Sequence, residues 1–222
     1  VKPIQDGFIQ NHLVQKQKDK ELQTRVVTQY VKRQDSAKIY LLQSDVDLIK
    51  DMMKNVFDDV EKYDCKFLSE IQDLVVKRIE ERTAFVKSLL ETAKAKKGKK
   101  DKKDKEKAAG PEFKFDKDTE FTYDPEHKEF PKTNDEANEF LKKYVQFQLA
   151  NYMATDIKFD EAKKRVVKNY ERNLKRYKET KFETLVANYL NTFAISLDPH
   201  SSFFSKAYYD DFTIDMSLSL EG

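Results

Sequence analysis

Apolar residues recur every third or fourth position through one segment after another of this chain, with few breaks. Val46, Ile49, Met53, Val56, Phe57 and Val60 keep one stripe for four turns, and Phe67, Leu68, Ile71, Leu74, Val75, Ile79, Phe85, Val86 and Leu89 keep another. That period puts the apolar side chains on one face of a helix. The chain has only four Gly and five Pro, too few for the many tight turns of a sandwich or barrel. With 39% apolar and 37% charged residues it can bury a core but has little apolar surface to spare. The expected fold is mostly α: a multi-helix domain of antiparallel helices, with an extended arm and a terminal strand that starts a next domain.

Taken in order, Phe8, Ile9, Leu13 and Val14 have helical spacing, and Leu22, Val26 and Tyr30 repeat every fourth residue, with a break expected between residues 16 and 20. Residues 35–45 form a connector that ends in a helix cap, where Ser44 can accept an orphan amide and Asp45 and Asp47 suit the positive end of the dipole. Asp64 is placed to cap the next helix, whose polar face carries Lys77, Arg78, Glu80, Glu81 and Arg82 toward solvent. Thr133 and Glu136 make a capping box, as do Thr180 and Glu183. Between them lie helical stripes at Ala137, Phe140, Leu141 and Tyr144, and at Ala162, Val166 and Tyr170. After Leu185, Val186, Tyr189, Leu190 and Phe193, Pro199 stops the last helix. Asp35 and Asp198 each open a turn after a helix, followed at five and six residues by Tyr40-Leu41 or Phe203-Phe204.

Between these halves, residues 94–107 hold nine Lys against Asp101, Asp104 and Glu106. This local balance of +6 sits within a chain of net charge +2, so the remainder sums to −4. With no apolar pattern to offset ordering entropy, the tract is expected to be a mobile loop. Lys96, Lys97, Lys99, Lys100, Lys102 and Lys103 could contact an anionic partner, but without Arg or aromatic residues they offer neither bidentate recognition nor base stacking, which disfavours nucleic acid. Phe113, Phe115, Phe121 and Tyr123 suggest an extended arm anchored by its rings.

Other chemistry is sparse. Cys65 is a single cysteine, so no intrachain disulfide forms. His12, His127 and His200 lie far apart and match no zinc spacing, no glycine-rich phosphate loop is present, and no apolar run nears the roughly 20 residues of a membrane span. No cofactor is expected.

The stretch from 197 to 222 is different in kind. It holds an Asp-Pro turn, the aromatic pair Phe203-Phe204, and an alternating run from Met216 to Leu220 suited to a strand. Asp198, His200 and Ser201 are the residue types of a hydrolase triad, yet three groups in one turn project apart rather than converge. A turn in which Asp198 accepts nearby amides and His200 shields the junction is the expected reading.

Asp198-Pro199-His200-Ser201-Ser202, then Phe203-Phe204-Ser205, Phe212, and Met216-Ser217-Leu218-Ser219-Leu220-Glu221-Gly222 resemble the junction that leads into the PDZ domain of tail-specific, C-terminal processing serine proteases of the bacterial envelope. A looser resemblance to the family's helical N-terminal region runs back to Phe8, through Tyr40-Leu41-Leu42 and Ser44-Asp45-Val46. Phe204 and Lys206 depart from the pattern, and the Lys-rich insert has no counterpart in it. The resemblance implies a periplasmic parent with a Ser-Lys dyad lying beyond Gly222, acting on unfolded C-terminal tails, and a noncatalytic helical segment here that walls the substrate entrance and docks a lipoprotein adaptor. The corresponding organisation is N-terminal helices at 1–93, a Lys-rich loop at 94–110, an extended arm at 111–132, C-terminal helices at 133–197 and a junction at 198–222. Two other readings stand beside it: a stand-alone helical scaffold that binds an adaptor, and a polyanion-binding module built on the Lys tract.

Overall fold

The computed structural model describes residues 1–91 and 121–220. The Lys tract, with Lys96, Lys97, Lys99, Lys100, Lys102 and Lys103, lies outside the described residues, as do Phe113, Phe115, Glu221 and Gly222. The helices in order are α1 (Lys2–Asn11), α2 (Lys20–Gln34), α3 (Gln43–Met52), α4 (Val56–Glu61), α5 (Lys66–Glu91), α6 (Asn134–Met153), α7 (Phe159–Lys178), α8 (Phe182–Leu197) and α9 (Lys206–Leu220). The fold is mostly α, and no strand occurs among the described residues. The chain divides into two units, one comprising Val1–Gln34, Asp47–Gln72 and Thr180–Gly222, the other Asp35–Val46 and Asp73–Glu179.

The first unit is built on α8, which packs against α2 and α1. Tyr189 and Phe193, one turn apart on α8, are fully buried. Tyr189 meets Tyr30 and Phe67 edge to face, and Phe193 meets Phe8 and Phe57 in the same way. Such ring pairs add about 0.5–1.5 kcal/mol each beyond their buried area. The buried Gln5 of α1 donates to the Tyr189 hydroxyl at 2.8 Å. On the surface of this unit, Glu61 accepts from both Lys2 and Lys18, and Lys18 also reaches Asp6 at 2.9 Å. The two ammonium groups hold the Glu61 carboxyl down at about 2.

The second unit has its core between α6 and α7. Leu141, Val145 and Leu149 on α6 and Ala162, Val166 and Tyr170 on α7 recur every fourth residue and bury one face of each helix, with Val86, Leu89 and Leu90 of α5 and Ile39 completing the cluster. Burial of a Leu or Val side chain contributes roughly 1.5–3 kcal/mol. The connector before α3 is organised by Asp35, whose residue is only 4% exposed. Its Oδ1 accepts the Ile39 amide at 3.0 Å, and its Oδ2 accepts the Tyr40 and Leu41 amides at 2.8 and 2.9 Å. Lys38, in the left-handed region at φ 50°, turns the chain back toward the carboxylate. Burial pushes the Asp35 carboxyl up, while the three amides and Lys128 pull against that shift.

The described part of the arm, 121–132, is tied to this connector. Tyr123 donates to the Ala37 carbonyl at 3.1 Å, Lys128 to the Lys38 carbonyl at 2.6 Å, and Lys38 in turn to the Lys128 carbonyl. Phe121 and Tyr123 stack on each other and pack on Phe140 and Tyr144 of α6. The Lys128 ammonium sits 3.1 Å above the centre of the Phe140 ring, and partial burial lowers it to about 8.

Several local expectations are corrected. The run Met216 to Leu220 is helical rather than a strand, because a helix closes its own backbone hydrogen bonds whereas a strand needs a partner's. Leu13 and Val14 lie outside α1 and are 92% and 85% exposed. The stripe from Val46 to Val60 breaks at residues 53–55, between α3 and α4. α3 begins at Gln43, so Asp45 rather than Ser44 supplies the cap, accepting the Leu42 amide at 2.8 Å while its two oxygens take Arg78 Nε and Nη2 at 2.8 and 2.9 Å. Arg82 is buried, donating to Asn134 and Asn138 of α6. The N-cap of α8 is Lys181 and makes no side-chain cap bond. Thr133 does cap α6, accepting the Glu136 amide at 3.2 Å, while Glu136 reaches back to the Lys132 amide at 2.7 Å.

Asp35→Ala leaves three amides without their acceptor and is expected to cost about 3–5 kcal/mol of stability. Asp35→Asn, which keeps one acceptor oxygen, recovers part of that loss. Urea denaturation of the three proteins checks this, and a loss below about 1 kcal/mol for the Ala variant contradicts the assignment.

Candidate functional site

The turn at 198–205 leaves α8 through a set of short-range bonds. Asp198, the C-cap of α8, has extended backbone and donates its amide to the Ala194 carbonyl at 3.3 Å. Pro199 follows and has no amide to continue the helix. Asp198 Oδ1 accepts the His200 amide at 3.0 Å, Oδ2 accepts the Ser201 hydroxyl at 2.7 Å, and the Asp198 carbonyl accepts the Ser201 amide at 3.0 Å. The Ser201 hydroxyl, then the His200 amide, hold the Asp198 carboxyl below the usual carboxylate range. This is the Asx-turn arrangement that aspartate favours.

Beyond it, the Phe203 amide donates to Asn191 Oδ1 of α8 at 3.1 Å, which returns the chain to the helix it left. Ser205 Oγ then accepts the Tyr208 amide at 3.3 Å and caps α9. Pro199, His200 and Ser202 are exposed, and Ser201 and Ser205 are half-buried. Met216 and Ser217 are exposed on α9, with Ser217 donating to the Ile214 carbonyl at 2.8 Å. Leu218, Ser219 and Leu220 complete that helix.

Two concavities flank the turn. A groove of about 740 Å³ is lined by Ile4, Gly7, Phe8, Asn11, His12, Leu13 and Val14 together with Asp198 and Ser201. His12 shapes it: its Nδ1 accepts the Gln15 amide at 2.8 Å and the Val14 amide at 3.3 Å, drawing the chain out of the helix after α1. In the neutral ring the proton therefore resides on Nε2. The second concavity, about 510 Å³, lies between α8 and the start of α9 and is lined by Asn188, Asn191, Phe203, Phe204 and Tyr208, among others. Phe204 packs on Tyr208 and Phe212 with centroids 4.9 and 5.8 Å apart.

A hydrolase relay requires an imidazole between the hydroxyl and the acid. Here Ser201 donates straight to Asp198, and the exposed His200 ring bonds to neither side chain. No His, Cys, Asp and Glu side chains gather as a metal site among the described residues, and no described helix is long and apolar enough to cross a membrane. The turn can order a chain crossing, but its geometry contains no activated nucleophile.

The family model described as tail specific protease N-terminal domain matches residues 4–207, from the first turn of α1 through the 198–205 turn and into α9. The chain belongs to this family. The tail-specific protease of Haemophilus influenzae is 28% identical over 214 residues, covering 96% of this chain and 28% of that protein. The chain thus spans about 28% of the length of the curated relative it matches. Within this tail-specific protease N-terminal domain, the sequence points to Asp198 through its turn chemistry, and to Ser201 and Ser205 only as members of the junction motif. Asn191 and His12 carry no comparable signal, because each accepts amides whose approach depends on tertiary or loop geometry.

The Asp198 carboxylate favours the folded turn above the ordinary carboxylate range, and that contribution is lost as pH falls through its depressed value. Ser201→Ala removes the largest cause and is expected to move the Asp198 titration upward toward the ordinary range. Carbon-13 NMR of the aspartate carboxyls checks it, and an unmoved Asp198 contradicts the bond.

Proposed function

We propose that this chain is the noncatalytic helical domain of a serine-type tail-specific endopeptidase, acting in the periplasm on proteins gripped by their unfolded C-terminal ends. The observation that carries this reading is the family match over residues 4–207, which covers both helical units and the turn after α8. In the parent, a neutral Lys would take the proton of a Ser hydroxyl as that oxygen attacks the scissile carbonyl. Neither role is assigned to a residue of this chain, and the direct Ser201 to Asp198 bond supports leaving the turn out of the chemistry.

On this reading, residues 198–222 are the junction toward a PDZ domain. The fixed bonds of Asp198, Asn191 and Ser205 set the direction in which α9 departs from α8. α9 exposes Tyr208, Tyr209, Phe212, Ile214 and Met216. So many large apolar side chains on one exposed helix suit a segment that is covered by a neighbouring part of the parent. The helical units would wall the substrate entrance and offer the adaptor a docking face. The exposed apolar residues Leu13 and Val14 beside their groove support that last role.

The test is proteolysis by the isolated chain. An unfolded protein with a nonpolar C-terminal tail is expected to stay intact on incubation with it. Cleavage that persists after repurification and after Ser201→Ala would overturn the noncatalytic assignment, and cleavage abolished by Ser201→Ala would place the chemistry in the turn.

A further inference from the structure

We propose that the solvent-facing ridge of α7 adsorbs to an anionic phospholipid surface. α7 carries eight Lys and Arg residues against three Asp and Glu over 20 residues. Its buried side is formed by Ala162, Val166 and Tyr170, and the helical repeat puts Lys164, Lys168 and Arg172 on the opposite side, all three exposed. These cations recur every fourth residue, and Arg176 continues the row, so the ridge runs about 18 Å along the axis from 164 to 176.

The other basic residues of α7 already have acids at hand. Lys163 pairs with Asp160 at 2.8 Å, Arg165 with Glu161 at 3.3 Å, Lys175 with Glu179 at 3.8 Å and Lys178 with Glu80 at 2.7 Å. Lys164, Lys168 and Arg172 pair with no carboxylate among the described residues. Arg172 is propped by a neutral group instead, donating to Asn169 Oδ1. An Asp at position 169 would have cancelled the charge, whereas Asn holds the Arg172 guanidinium in place and leaves it positive.

The chemistry of the ridge selects among anionic partners. Its three central positions are all Lys or Arg, so it offers no aromatic platform for stacking bases and no apolar wedge for insertion. What it offers is a line of exposed positive charge along one helix face, complementary to a plane of phosphate headgroups. Rows of four or more Lys or Arg on a helix bind acidic lipid in this way, each residue near the surface strengthening partition about fivefold.

The measurement is cosedimentation of the 222-residue chain with vesicles of phosphatidylcholine containing about one-third phosphatidylglycerol, and with vesicles of phosphatidylcholine alone. Binding is expected to the acidic vesicles only, and to vanish between 0.1 M and 1 M salt as the screening length falls from about 10 Å to about 3 Å. The triple variant Lys164→Gln, Lys168→Gln, Arg172→Gln is expected to bind roughly a hundredfold more weakly with an unchanged thermal midpoint. Lys164→Arg with Lys168→Arg is expected to bind as the unmodified chain does. A second variant, with Lys96, Lys97, Lys99, Lys100, Lys102 and Lys103 changed to Gln, separates the ridge from the Lys tract. The proposal is overturned by failure to bind acidic vesicles, by full binding of the triple variant, by loss in the tract variant alone, or by displacement from vesicles by duplex DNA or polyglutamate at equal charge.

Discussion

The second unit depends on a buried carboxylate that replaces regular secondary structure where the chain has none. Between α2 and α3 the backbone must turn without helical hydrogen bonds, and Asp35 supplies one acceptor group for the amides of Ile39, Tyr40 and Leu41. An unpaired buried amide costs about as much as a lost hydrogen bond, so three of them would outweigh the burial of any one core side chain. With those amides held, Ile39 and Leu41 can be buried, and the carbonyls of Ala37 and Lys38 are turned outward to receive Tyr123 and Lys128 of the arm. The arm in turn covers Phe140 and Tyr144 of α6. Asp45 repeats the device one helix start later, serving the Leu42 amide and the Arg78 guanidinium at once.

The same physics, with less burial, shapes the exit from α8 in the first unit. Asp198 also gathers a backbone amide and a neighbouring hydroxyl at a helix end, but it stays near solvent and its turn is completed by Asn191 and Ser205. α8 is the common element: its interior half presents Tyr189 and Phe193 to four aromatic partners, and its outer half supplies Asn191 to the departing chain. Packing and exit are thereby set by one helix.

How much of this was readable without coordinates depended on the range of each interaction. The stripes of α2, α6 and α7 were plain, because a four-residue repeat of buried residues is a local property, and the Thr133 cap was plain for the same reason. The Asp-led turns at 35 and 198 were visible as a pattern, and the burial of Asp35 was not, since it follows from what packs over it. Leu13 and Val14 continue the helical spacing of Phe8 and Ile9, but His12 captures the next amides and the helix ends. Arg82 reads as a surface residue until Asn134 and Asn138 of α6 are brought to it. The alternation from Met216 to Leu220 is real, yet alternation specifies a strand only where another strand is present to pair with. The turn chemistry of Asp198 was legible, whereas the groove beside it was not, because its walls come from residues nearly 200 positions apart.

Native-state hydrogen exchange at the Ile39, Tyr40 and Leu41 amides tests this account most directly. If the Asp35 carboxylate is the acceptor on which the second unit depends, these three amides exchange together, with the protection of the α6 core at Leu141 and Val145, and only through opening of the whole unit. Rapid, independent exchange at any of them, while α6 stays protected, would contradict it.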